Sequence, residues 1–438
     1  MACDILILSN GPGEISTWVR PAVAALRAVA ADVVVRISVV LSPCANASGR
    51  EAAIAAALPG VDRVQAAADF FPFLLRGRTA ANWDWHPQGV VLFLGGDQIY
   101  PVLIGKRLGY PIVVYAEWEG RWPRWVDYFA CMNSQAVAKA AVRWRSKYQV
   151  IGDLMADIAI DPTLTQSVRH RLGLSPDQEL IGLMPGSKPA KLSLGLPFCL
   201  ATATAIHSQR PQTAFVIPVA PMLALETLAG FADPDQNPDT ALFEGCTTAE
   251  LIDSADRLPH LRTATGLEIW LWPSQPAYDL MSQFQLCLTT VGANTAELGA
   301  LAIPMMVLLP TQKLEVMKAW DGLPGLLANL PLVGNGVARG INRLVLSQIY
   351  RQGRLFAWPN LWAGRAVVPE LIGPIRPQQV AHQVIAYLSH PEELAAIAQD
   401  LRSLRGEGGA AARLATVVMA ALDHHHHNGL SRRHSEVG

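Results

Sequence analysis

Ile5-Leu6-Ile7-Leu8-Ser9-Asn10-Gly11-Pro12-Gly13-Glu14-Ile15-Ser16 is an unbroken aliphatic run, then a Gly-Pro-Gly turn, then the approach to the alanine-rich stretch Ala22–Ala31. Four consecutive aliphatic residues bounded by turn formers read as a strand buried on both faces, and the alanine-rich stretch as a helix laid over it. The same alternation continues outward. Val33–Leu41, Val90–Leu94 and Ile112–Tyr115 read as further strands, with Ala136–Arg145 as a helix. It resumes with Leu180–Met184, Phe198–Ser208, Ala214–Pro218, Cys287–Thr290, Ala293–Leu301 and Pro304–Leu308. Strands and helices in strict alternation predict an α/β chain with doubly wound parallel sheets of the Rossmann type. The Gly11–Gly13 turn lacks the GxGxxG spacing, so it does not argue for a dinucleotide.

A chain of 438 residues that is 51% hydrophobic is long enough for two such sheets, and a division near Pro162–Ser175 is expected. The net charge of −1, from 35 basic and 36 acidic residues, gives no global attraction to nucleic acid. Cys3, Cys44, Cys131, Cys199, Cys246 and Cys287 show no metal-binding spacing and read as reduced thiols of a cytoplasmic protein. No apolar run reaches the roughly twenty residues of a membrane span, and no basic leader precedes Ile5. Phe70, Phe71, Phe73, Leu74 and Leu75 beside Arg76 and Arg78 fit either a peripheral contact with an anionic membrane surface or a buried helix with snorkelling arginines.

Chemistry-bearing residues follow the strands. Asp97, after Val90–Leu94, is placed either to take a proton from a hydroxyl or to cap a helix. Trp118 and Arg121, in a segment rich in tryptophan and charge, suit a sugar face and its polar substituents, and Glu117 is a second candidate base. Gly186, Ser187 and Lys188 end a strand and open toward a helix, where amides and an ammonium can neutralise phosphate. Glu297, on the first turns of Ala293–Leu301, can accept ribose hydroxyls or simply face solvent. Trp358-Pro359-Asn360-Leu361-Trp362-Ala363-Gly364-Arg365, with Pro369 beyond, reads as a Pro-bounded loop whose Asn360 and Arg365 face a polar ligand or hold the loop to its own domain.

Five segments, in order along the chain, resemble the lipid-A-disaccharide synthase family. Leu94-Gly95-Gly96-Asp97 resembles its glycine-x-aspartate, Ile151 to Asp157 its IGH-x-MAD segment, and Leu183 to Lys188 its LLPGSR. Glu297 to Pro304 keeps its glutamate-to-proline spacing, and Pro359 to Arg365 is similar to its PNLLAGRE-like signature. Departures fall mostly on the acceptor side. Gly13, Glu14 and Ser16 match part of AGE-x-SGD without its aspartate, and lysine replaces arginine at Lys188.

The resemblance implies a GT-B fold, two Rossmann-like doubly wound domains facing a central cleft. Residues 1–165 would bind acceptor, 166–385 a UDP-sugar, 386–422 would be a helical segment crossing back, and 423–438 a disordered tail in which the four histidines bind no metal. It implies an inverting transfer of an acylglucosamine from UDP to a lipid-linked or phosphorylated sugar at the cytoplasmic face of a membrane, without a metal or other cofactor. By resemblance Asp97 is the base; Gly186, Ser187, Lys188, Glu297, Asn360 and Arg365 hold the donor; Gly13, Glu14, Ser16, Trp118 and Arg121 hold the acceptor. A transferase with another acceptor, a UDP-N-acetylglucosamine 2-epimerase-like enzyme and a non-catalytic sugar-nucleotide-binding protein stay open.

Overall fold

The computed structural model describes residues 2–435 except 31–33, 45, 46, 48, 159, 161, 176, 221, 222, 247, 255 and 313–354. Val33, the first residue of the expected second strand, and 436–438 therefore lie outside the described residues. The chain divides into two compact units, Met1–Ile158 with Gly406–Gly438, and Ala159–Arg405.

The first unit is built on seven parallel strands: β1 (Ala2–Ser9), β2 (Val34–Leu41), β3 (Arg63–Gln65), β4 (Gly89–Phe93), β5 (Ile112–Ala116), β6 (Tyr128–Cys131) and β7 (Tyr148–Val150). Their order is β3-β2-β1-β4-β5-β6-β7. β1, β4 and β5 are buried almost end to end, which is why each reads as an unbroken apolar run. The order reverses between β1 and β4. A sheet of this kind binds its ligands outside the carboxyl ends of the strands at that reversal.

Helices α1 (Arg20–Val29), α2 (Phe70–Arg76) and α3 (Ile99–Leu108) cover this sheet. Phe70, Phe73 and Leu74 of α2 are buried in the core, while Phe71 and Leu75 are exposed. The segment is thus divided between the two expected readings. Helical spacing turns three of its apolar residues inward and leaves Phe71, Leu75, Arg76 and Arg78 at the surface.

The second unit has eight strands: β8 (Leu180–Met184), β9 (Ala214–Pro218), β10 (Ala249–Ser254), β11 (Arg257–Thr263), β12 (Glu268–Trp272), β13 (Leu286–Thr290), β14 (Met305–Pro310) and β15 (Glu370–Gly373), in the order β10-β11-β12-β9-β8-β13-β14-β15. β10, β11 and β12 form an antiparallel extension; the other pairings are parallel. The order reverses between β8 and β13. Helix α4 (Pro189–His207) follows β8 and α5 (Ala293–Ala300) follows β13. At 19 residues α4 is long and apolar enough to span a bilayer by length and composition, but it lies mostly inside the unit's core.

The remaining helices correct three expectations. Trp358–Ala363 is a short helix, α6, rather than a loop: Pro359 sits in its first turn, where no amide is required, and Gly364 ends it with a left-handed φ of 64°. A Cβ on Gly299 of α5 would lie 2.7 Å from Pro359 Cγ, so the bare glycine lets the two helices touch. After α7 (Pro377–Ser389), α8 (Pro391–Arg405) stays with the second unit, burying Leu394, Ala398 and Leu401.

Of the described helices after residue 386, α9 (Ala410–Ser435) is the one that belongs to the first unit, so the crossing begins at Gly406 and not at 386. Leu414, Ala415, Val418 and Ala421 of α9 join the core made by β1, β2 and α1. The Asp157 carboxylate accepts from the amides of Gly409 and Ala411, and Arg413 Nε donates to the Ile151 carbonyl at 2.6 Å. A negative charge on the free amides of a helix start is favourable on both hydrogen-bonding and dipole grounds. With no proline after Asp423 to interrupt the backbone ladder, α9 runs to Ser435 where an irregular tail was expected.

Candidate active-site residues at two sheet reversals

At the reversal of the first sheet, the loop after β1 meets the loop after β4. Gly95 and Gly96 adopt φ of 153° and 108°, outside the comfortable range of a side-chain-bearing residue. A Cβ on Gly95 would lie 2.7 Å from Asn10 Oδ1 and 3.3 Å from Glu14 Cγ, and one on Gly96 2.7 Å from Ser42 Oγ. The paired glycines thus let the two loops close on each other. Gly13, Glu14 and Ser16 are half-buried here, and a wide π-type turn, Ile15–Val19, leads into α1. Such turns frequently occur at functional positions. Ser9 Oγ and Asn10 Oδ1 are buried without a hydrogen-bond partner at the end of β1.

Asp97 is exposed, and its Oδ1 accepts from the Ile99 amide at 2.9 Å. That is a capping contact at the start of α3. Glu117, directly after β5, stands in a different environment. Burial, then the charge of Asp153, then that of Glu14 push its carboxyl up to about 7, against a smaller opposing hydrogen bond involving Trp118. A carboxylate tuned to neutral pH is what a general base requires. Asp153 is 8% exposed and accepts from the Met155 amide at 2.9 Å. Tyr115 ties its segment to β5, accepting from the Leu154 amide at 3.3 Å and donating to the Gly152 carbonyl at 3.4 Å.

Trp118 and Arg121 are exposed in the loop after Glu117. Gln98 braces this loop, accepting from the Arg121 amide at 2.6 Å and donating to the Glu119 carbonyl at 2.9 Å, and Arg121 Nε pairs with Glu119 at 2.8 Å. Trp122 and Trp125 are also exposed, their rings 5.7 Å apart, with Lys106 of α3 4.5 Å from the Trp125 ring.

At the second reversal, the loop after β8 meets the loop after β13. Gly186 has a φ of 116°, and a Cβ there would lie 2.6 Å from Lys191 Cβ. Ser187 is exposed and Lys188 half-buried at the N-cap of α4. Lys191, which the sequence reading passed over, is buried in the first turn of α4 and donates to the Val291 carbonyl at 3.0 Å. Thr290 Oγ1 is buried without a hydrogen-bond partner. Asn294 Nδ2 donates to the Thr290 carbonyl at 3.3 Å and contacts Thr289 Oγ1. Glu297 is half-buried on α5.

Asn360 and Arg365, expected to hold the donor, are both engaged within the unit. Asn360 is wholly buried; its Oδ1 accepts from the Val367 and Val368 amides, and its Nδ2 donates to the Val368 carbonyl and to Glu370. Both ends of the amide are spent on holding α6 to the start of β15. Arg365 is exposed and pairs with Asp400 of α8 at 2.9 Å. The resemblance gave them a shared ligand; in the structure they make two separate contacts within the unit.

Among the described residues no group of three or more histidine, cysteine or carboxylate side chains is arranged to hold a metal ion. No family model matches the chain. The chain is 25% identical over 327 residues to the lipid-A-disaccharide synthase of Myxococcus xanthus, covering 71% of this chain and 69% of that protein. It is 25% identical over 259 residues to that of Anaeromyxobacter dehalogenans, covering 58% and 52%. The chain thus spans about half the length of the second relative.

Among solved structures, the UDP-GlcNAc 2-epimerase of Neisseria meningitidis bound to UDP-GlcNAc superposes with a TM-score of 0.51 at 13% identity, over 96% of this chain and 100% of that one. The chain has the GT-B fold. That fold places the carboxylate-lined loops at the reversal of one sheet and the lysine-bearing loops at the reversal of the other.

Proposed function

We propose that the chain is an inverting glycosyltransferase of the lipid-A-disaccharide synthase type, moving an acylglucosamine from UDP to a lipid-linked or phosphorylated sugar. The observation that carries this reading is the division of charge between the two sheet reversals. Glu14, Glu117 and Asp153 gather at the first, Lys188 and Lys191 at the second. Glu117 takes the proton of an acceptor hydroxyl, and the oxygen attacks the anomeric carbon of the donor. The bond from that carbon to the diphosphate oxygen breaks, and its electron pair leaves with UDP. Lys188 and the free amides at the start of α4 stabilise that developing charge.

Glu117 replaces Asp97 as the preferred base because Asp97 is engaged at the start of α3 and exposed. Gly13, Glu14 and Ser16 line the acceptor side, with Trp118 and Arg121 on the braced loop available to a sugar. A lipid-borne acceptor would be met at a membrane surface through Phe71 and Leu75, with Arg76 and Arg78 toward anionic headgroups. The place of action would then be the cytoplasmic face of a membrane.

The test is an assay of UDP release and disaccharide formation from UDP-diacylglucosamine with a lipid monosaccharide phosphate, run with and without chelator. Acceptor-dependent release that persists in chelator is expected. Conversion of the donor sugar without acceptor would make the chain an epimerase. Binding without turnover would make it a non-catalytic sugar-nucleotide protein.

A further inference from the structure

Lys191 is out of place by ordinary rules. It lies in the first turn of α4, where the helix dipole disfavours a cation, and is only 6% exposed. The carbonyl that its Nζ meets, Val291 at 3.0 Å, comes two residues before the start of α5. The ammonium thus sits where two helix N-termini converge, both presenting free amides and the positive ends of their dipoles. Gly186 makes the position possible, since any side chain there would collide with the Lys191 stem. In Thr290, the residue before Val291 in the chain, Oγ1 is buried with no hydrogen-bond partner, and the residue is 5% exposed. An unsatisfied buried hydroxyl of this kind needs an explanation, and a ligand oxygen supplies one.

We propose that Lys191 and the Thr290 hydroxyl form a second phosphate-holding pair at the β8–β13 reversal, with the ammonium turning from the Val291 carbonyl to the diphosphate of a bound UDP-sugar. The inference rests on the donor side of the function proposed above. It divides the labour between two lysines: Lys188, half-buried at the N-cap, meets the ligand from the rim, and Lys191 meets it from beneath the turn. A lysine chosen for a floor position in this way also discriminates. It rewards ligands with a diphosphate over a nucleoside alone, because without an anion the buried charge keeps only its contacts within the protein.

Calorimetric titration of the full chain with UDP, UMP and uridine tests this. Lys191→Met should weaken UDP binding about tenfold or more while leaving uridine binding unchanged. Thr290→Val, which keeps the shape and removes only the hydroxyl, should weaken UDP severalfold and guards against a Lys191 variant that fails to fold. Parental UDP affinity in both variants overturns the pair and leaves the donor-side reading intact. An equal loss for UDP and uridine shows a structural role and also overturns it. A parent protein that binds no UDP removes the donor-side reading itself, and the pair with it.

Discussion

The two sheet reversals are topologically alike and chemically opposite. Each joins a loop after the first strand of its unit to a loop after a later strand, with a positive-φ glycine where they approach. At the first, a half-buried glutamate stands near two more carboxylates, and its proton affinity rises toward neutral pH. At the second, a buried ammonium stands near two helix starts. In both cases like sign gathers with like, which costs free energy in the empty protein. Such arrangements cluster at functional positions. The difference teaches which side does which work. Under the proposed function, proton transfer falls to the carboxylates and charge neutralisation to the lysines.

The comparison breaks most readily at Glu117. Glu117→Gln is expected to lower turnover by about 10² to 10⁴ while UDP affinity is kept, and to remove the limb near pH 7 from the rate profile. Stability should move the other way. The unfolded carboxyl loses its proton near its ordinary value of 4.5 and the folded one near 7, so the folded state holds more protons between them and stability falls as pH rises through that window. The glutamine variant should therefore gain on the order of 3 kcal/mol at pH 8 and nothing at pH 4, measured by denaturant unfolding. Unchanged turnover would remove the proton-transfer half of the comparison.

Asn360→Ala asks whether the second unit's amide belongs to the ligand or to the fold. Four hydrogen bonds to a wholly buried group predict a loss of about 2–4 kcal/mol in stability, with UDP affinity of the folded fraction near parental. A selective loss of UDP binding at unchanged stability would return Asn360 to the ligand. Lys188→Met sharpens the cationic half. One charge-assisted contact of roughly 1.5–3 kcal/mol gives a ten- to hundredfold weaker UDP complex, and parental affinity would leave that half without its rim lysine. The smallest effect is expected for Asp97→Asn. Asparagine caps a helix about as well as aspartate, so turnover and melting temperature should stay near parental. A collapse in turnover would restore Asp97 as the base.

What the sequence made legible follows from burial. Strands covered on both faces read as apolar runs, and so the sequence alone places the segments after Val90–Leu94, Ile112–Tyr115, Leu180–Met184 and Cys287–Thr290 at strand ends. β10, β11 and β12 escaped notice because they are partly exposed and carry charged residues such as Glu250, Arg257 and Arg262 among apolar ones. Lys191 was hidden in a helix whose other residues are mostly apolar, since nothing local distinguishes a buried lysine from a surface one. Glu117 was visible as a carboxylate after a strand, but its charge environment comes from Asp153 and Glu14, 36 positions ahead and 103 behind it in the chain. Asn360 misled because a buried asparagine saturated by its own loop carries the same letters as one reaching for a ligand.

The clasp between Asp157 and the start of α9 sets an order of assembly. A chain leaving the ribosome exposes β1 to β7 early, yet the helix that completes their core is made last, after the whole second unit. Until Gly409 and Ala411 emerge, the Asp157 carboxylate lacks the amides it is built to receive, and the apolar face beneath α9 stays uncovered. Contacts spanning some 250 residues are slow to form and leave sticky surface waiting in the meantime. The first unit is thus the earliest to begin folding and the latest to finish, and its dependence on chaperones during synthesis should greatly exceed that of the second.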